Sequence, residues 1–243
     1  MEVTPKEFQR LARVVDEHHH EAMKAFRDDV EQAHKPIVDS GRRRFLVGSG
    51  LAATALGLGV TVGSKRLFTP AYAESITDED LAAFAQSVEL AAVQVYTAAA
   101  GALSAGTKPV AMLFMQHHQQ HADAFGAVAK GKAVKAANAK LVAALGPALS
   151  AVKDEKGALE LAFTLENQAA ETYAFGLTVA TGKDAIGGMA TILPIETEHA
   201  AVLGIALGKA PGDIFVNGAF ESAAVGDGSD IKKGIDPAKF PVG

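Results

Sequence analysis

The chain has 243 residues, of which 49% are apolar but only 6% aromatic, with no Trp and no Cys. The missing Cys excludes disulfides, thiolate metal sites and cysteine nucleophiles, and the Ala-rich apolar content suits closely packed helices better than a β-sandwich. The net charge of −5 hides an asymmetry: residues 1–73 carry 11 Lys+Arg against 9 Asp+Glu, and residues 74–243 carry 12 Lys, no Arg and 19 Asp+Glu, so the second part has no basic stripe and nucleic acid is excluded as a partner.

Residues 1–41 read as a polar leader. The stretch EFQRLARVVDEHHHEAMKAFRDDVEQAH predicts a charged helix, solvated and partly formed. Glu17, His18, His19, His20 and Glu21 are metal-ligand types, but consecutive helical residues point in different directions, which is poor ligand geometry.

Residues 42–73 have the layout of an export signal: RRRFL at 42–46, an apolar run from Leu46 to Ser64, then Lys65, Arg66 and the small-x-small site Ala71-Tyr72-Ala73. Arg42-Arg43-x-Phe45-Leu46 resembles the twin-arginine motif, with its usual Ser displaced because Gly41 follows Ser40. That resemblance implies the twin-arginine export machinery as a partner and a cofactor loaded before export. The run also has about the length needed to cross a bilayer. An uncleaved membrane anchor is therefore the alternative to cleavage after Ala73. Either way the remainder is expected outside the cytoplasm, in the periplasm or cell envelope, or secreted.

Residues 74–208 predict an all-α four-helix bundle. Thr77 caps a first helix that begins with Asp78, Glu79 and Asp80 and runs to about Ala100. A second covers about 110–129. A long, partly helical crossover fills 130–153, a third helix spans about 154–181, and a fourth about 189–207 after a break at Gly182, Gly187 and Gly188. Residues 209–243 predict an extended, irregular C-terminal tail, either a strap held by Phe215, Phe220 and Phe240 or a docking segment.

The chain also repeats itself. Glu89 and Tyr96 match Glu166 and Tyr173 at an offset of 77, and His118-x-x-His121-Ala matches Glu196-x-x-His199-Ala at 78. Two helical hairpins of one design, joined by a crossover, account for both offsets. Glu89 shares a helix face with Ala85, Ala92, Tyr96 and Ala99. Glu166 shares one with Ala162, Ala169, Tyr173 and Gly176. His118 and His121 lie on a stripe with Ala111, Phe114 and Phe125, as Glu196 and His199 do with Ile192 and Leu203. Each helix thus sends a carboxylate or imidazole into the core. Buried carboxylates that converge in this way need a partner, and bound cations fit.

At these positions the chain resembles the ferritin-like family, whose site uses one Glu from each of two helices and Glu-x-x-His from each of the other two. The resemblance covers roughly residues 77–207. It implies Glu89 and Glu166 as lone ligands and Glu196 with His199 as one full motif. His118 and His121 form the other, with His in place of Glu. Two Fe or Mn ions are the implied cofactors. One Fe(II) on Glu89, His118 and His121, or zinc, are alternatives. Iron or manganese redox chemistry with O2 or peroxide follows, as a ferroxidase, oxidase or peroxide-removing protein. A metal-poor structural or partner-binding module is the second reading. A homo-oligomer is compatible with both. Tyr96 and Tyr173 are expected behind the ligands, and His117, off the apolar stripe, either behind them or at the surface.

Overall fold

The computed structural model describes residues 3–34, 76–214, 235, 237 and 240–242. The signal residues Arg42, Arg43, Phe45, Leu46, Ala71 and Ala73, and the tail residues Phe215 and Phe220, lie outside the described residues. Among the described residues no helix is long and apolar enough to cross a membrane.

The predicted bundle is present, as helices α2 (Asp78–Ala99), α3 (Lys108–Ala129), α5 (Glu155–Val179) and α6 (Lys183–Ala206), with α1 (Pro5–His34), α4 (Ala139–Ala151) and a short α7 (Pro211–Ile214) around it. Local chemistry sets the starts. Thr77 and Asp80 form a capping box at α2, and Asp154 caps α5 through Gly157 N. Gly187 and Gly188, expected to break the fourth helix, lie inside it. A glycine in a helix costs about 1 kcal/mol relative to Ala. Packing offsets that cost, since a Cβ on Gly188 would stand 3.4 Å from both the Phe125 and Phe26 rings.

The repeat governs how the hairpins hold each other. Asp78, in the first turn of α2, accepts bonds from Thr181 N, Thr181 Oγ1 and Gly182 N at 2.6–2.9 Å, in the α5–α6 turn. Its counterpart 77 residues on, Glu155 in the first turn of α5, accepts from Ser104 N and Thr107 Oγ1 in the α2–α3 turn. Each hairpin therefore grips the other's turn with its first-turn acid.

The crossover is more ordered than its Lys- and Ala-rich sequence suggests. Asn138 caps α4 through Leu141 N, takes a backbone bond to Ser87, and donates to Phe240 O at 2.8 Å. Leu145 and Leu149 of α4 pack on Val95, Leu161 and Leu165, over the seam between α2 and α5. The described end of the tail closes the same side. Ile235 and Phe240 join Phe84, Val88 and Leu141 in one apolar cluster, so Phe240 behaves as the expected strap.

The leader departs most from expectation. Instead of a solvated segment, α1 is a 30-residue helix docked on α3 and α6. Phe8, Ala12, Val15, His19, Met23 and Phe26 succeed one another at intervals of three and four and are all buried, so they form a single stripe. The charged residues between them mask that stripe in the sequence.

Candidate metal centre

All six predicted ligands meet in the bundle interior, and none is more than 1% exposed. They form a closed ring in which carboxylates and imidazoles alternate. His118 Nδ1 lies 2.7 Å from Glu89 and its Nε2 3.1 Å from Glu166. Glu166 reaches His199 Nδ1 at 3.1 Å, and His199 Nδ1 reaches Glu196 at 3.1 Å. Glu196 Oε1 stands 2.8 Å from His121 Nδ1, and His121 Nδ1 stands 3.6 Å from Glu89. Two overlapping sets arise, Glu89/His118/His121/Glu196 and His118/Glu166/Glu196/His199. His118 and Glu196 belong to both.

The tyrosines complete the repeat by crossing over. Tyr96 of α2 donates to Glu166 of α5, and Tyr173 of α5 donates to Glu89 of α2. Burial, and then the carboxylate beside each, pushes both phenols well above the usual tyrosine range, so they remain protonated donors.

Electrostatics arise from the ring. Burial acts to raise Glu166, but His118 and His199 outweigh it and hold the carboxyl far below the usual range. Glu89 is held low in the same way by His121 and His118. Burial lowers His118, yet Glu166, Glu196 and Glu89 outweigh it and hold the imidazole well above its usual value. This agrees with both ring nitrogens facing carboxylates. Glu196 is pushed up, by burial and by the Glu89 and Glu166 charges. Without a cation the ring is thus balanced by protons on His118, His199 and Glu196.

The residues fit a cation. Glu196 Oε1 and both nitrogens of His121 are buried without a hydrogen-bond partner, although Glu196 Oε1 and His121 Nδ1 are only 2.8 Å apart. Two buried ligand-type atoms this close, with no hydrogen-bond geometry between them, form an arrangement that a shared positive ion would satisfy.

Behind the ring runs a relay that the sequence did not disclose. His199 Nε2 meets His117 Nδ1 at 2.9 Å, and His117 Nε2 meets Asp16 of α1 at 3.0 Å. His117 is 1% exposed, so it stands behind the ligands and not at the surface. Burial, then His199, lowers it to about 3, leaving a neutral imidazole that passes its Nε2–H to Asp16. Such outer partners fix the tautomer of a ligating histidine. His19 was missed, because its segment reads as a solvated leader. It is fully buried, and its ring stacks on His117 at 3.8 Å and 12°. Asp16, His19 and His117 form a third group of ligand-type atoms. Nitrogen lone pairs lie in the ring plane, so two stacked imidazoles cannot converge on one ion, and this group serves packing and hydrogen bonding. The one available signal was the 8/12/15/19/23/26 spacing, which places His19 on an apolar stripe.

The family model described as a ferritin-like domain matches residues 67–209. The chain belongs to that ferritin-like family. No curated protein and no solved structure matches it. Within the ferritin-like site the departure lies at His118, which occupies a shared position opposite Glu196.

Proposed function

We propose that the ring binds iron or manganese, two ions per chain, and that the protein is an exported redox protein that uses O2 or peroxide, as a ferroxidase, oxidase or peroxide-removing enzyme. The observation that carries the reading is the closed, fully buried ring of three carboxylates and three imidazoles, with unsatisfied donors on Glu196 and His121. When bound, the metal supplies redox steps and open positions for a small oxidant. The chain's own groups have distinct tasks. Glu89 and Glu166 are held ionised by the imidazoles beside them and oriented by Tyr173 and Tyr96. His118 and Glu196 divide the centre into two halves. His117 and Asp16 hold His199 with its Nδ1 inward. An apolar pocket lined by Phe8, Val95, Tyr96, Leu159, Leu165 and Leu203 lies beside the Tyr96–Glu166 pair and suits a small uncharged oxidant.

Export by the twin-arginine machinery is part of the proposal, supported by Arg42, Arg43, Phe45 and Leu46 and by the site at Ala71 and Ala73. The test is the metal content of the full chain purified without added metal, by elemental analysis against protein concentration. About two Fe or Mn per chain supports the reading. About one supports a single Fe(II) on Glu89, His118 and His121. Zinc at either ratio removes the redox role. A second reading, a metal-poor module, is favoured by the ring's proton balance in the absence of a cation. A folded protein holding almost no metal, and taking up neither Fe(II) nor Mn(II), would establish it.

A further inference from the structure

The helix that walls the centre precedes the segment read as an export signal. α1 supplies Asp16 to the relay and His19 to the stack, and the His19 ring lies 5.0 Å from that of His121. Phe8 lines the apolar pocket beside Tyr96. Polar ties add to the buried stripe: His18 to Glu198 at 3.0 Å and Gln9 Nε2 to Gly106 O at 2.8 Å.

α1 is therefore part of the folded bundle, and this conflicts with a simple export step. Cleavage after Ala73 separates α1 from the bundle. A single crossing by the run Leu46–Ser64 places α1 and the bundle on opposite sides of the membrane. A docked α1 requires both on one side. Val30, near the end of α1, and Ile76, just before α2, pack on the same apolar cluster, so the described residues on either side of 35–75 lie at one end of the bundle. The docked state and the exported state exclude each other.

We propose that α1 is a detachable cover of the metal centre, docked on the α3/α6 face before export and given up when segment 42–73 is processed. The inference rests on the export reading. In the docked state α1 shields His117 and His121 and retains the metal. In the exported state the centre is open to its oxidant, and the face that held Phe8, Val15, Met23 and Phe26 is bare.

The first arm of the test uses the full chain with a protease recognition sequence inserted at residues 35–40. Zn(II) is loaded, and its transfer to a chromogenic chelator is timed before cutting, after cutting, and after the α1 peptide has been stripped. The peptide is expected to remain bound after the cut with no change in rate, and stripping is expected to speed transfer about tenfold or more, the scale on which outer groups govern metal retention. An α1 peptide that falls away on cutting, or equal rates with and without it, overturns the cover. Because the stripped bundle could unfold, a second variant works in the opposite direction. His18→Cys with Glu198→Cys, in a chain with no other thiol, is joined by a short thiol crosslinker. Locking α1 is expected to slow transfer, and an unchanged rate overturns the cover.

The second arm fractionates cells that make the full chain and sequences the N-terminus of the exported protein. A start after Ala73 supports release. Exported chain that still carries α1 and crosslinks at positions 18 and 198 overturns it. A chain that never leaves the cytoplasm overturns the export reading and the release step with it, while the first arm still decides whether α1 covers the centre. A stripped bundle that pairs with a second copy would show the bared face taking a new occupant, and a start after Ala73 together with that pairing still supports release.

Discussion

His117 stands between a buried ligand imidazole and a carboxylate that is 40% exposed. Removing it as His117→Ala is expected to leave the six ligands in place but free His199 to rotate and change tautomer. Metal affinity should fall about 10–100-fold in a competition titration, with little change in helix content. His19 gives a pH prediction. Burial, then His117, His121 and His199, lowers it to about 2, against about 6.5 in the unfolded chain. His20, on its own helix, acts in the same direction. Between those values the unfolded chain binds the extra proton, so stability is lost as pH falls below about 6.5, and a bound cation acts in the same direction. Thermal melts from pH 7 to 5 should show His19→Leu losing less stability than the parent chain. Equal slopes would refute the assignment. The six ligands were readable from the sequence because each occupies a core stripe at helical spacing. His117 was read as standing behind the ligands or at the surface, but its tie to Asp16, 101 residues away, was not readable.

Among the elements, the crossover helix and the tail meet at one side chain. Asn138 caps α4, and also bonds Phe240 O and contacts Ser87. Asn138→Ala should cost about 2 kcal/mol, a lost cap of about 1 kcal/mol plus a buried hydrogen bond of similar size, measured by chemical denaturation. Hydrogen exchange should rise in α4 and near Phe240 together. The α2, α3 and α5 bounds were legible because caps and breaks mark them. Asp78 comes directly after Thr77, and Asp154 precedes α5. The start of α6 was not, because Gly187 and Gly188 signal a break that the Phe26 and Phe125 rings override. α1 was read as solvated because its charges outnumber the stripe that docks it, and its docking surface comes from distant α3 and α6.

For the whole molecule, the 77/78 repeat was the most informative feature of the sequence, since it fixed two hairpins and both halves of the site. It did not show that the halves exchange their contacts. Metal loading should release protons, because His118, His199 and Glu196 hold protons that a cation displaces. Affinity should therefore fall as pH falls. Metal at about 100 times its dissociation constant should stabilise the fold by about 2.7 kcal/mol, and a chelator should reverse the rise in Tm. A Tm indifferent to both would count against a structural coupling of the ring to folding.

The reciprocal grips have a further consequence. Tyr96 and Asp78 of the first hairpin serve the second, as Tyr173 and Glu155 of the second serve the first. The first hairpin holds Glu89, His118 and His121, and the second holds Glu166, Glu196 and His199, so the shared pair His118 and Glu196 is split between them. If the chain is divided in the crossover between Lys132 and Asn138 and the fragments are made separately, neither carries the complete ring. Metal uptake then becomes a complementation signal. It should rise with the product of the two fragment concentrations, and it would turn this centre into a reporter of two proteins meeting.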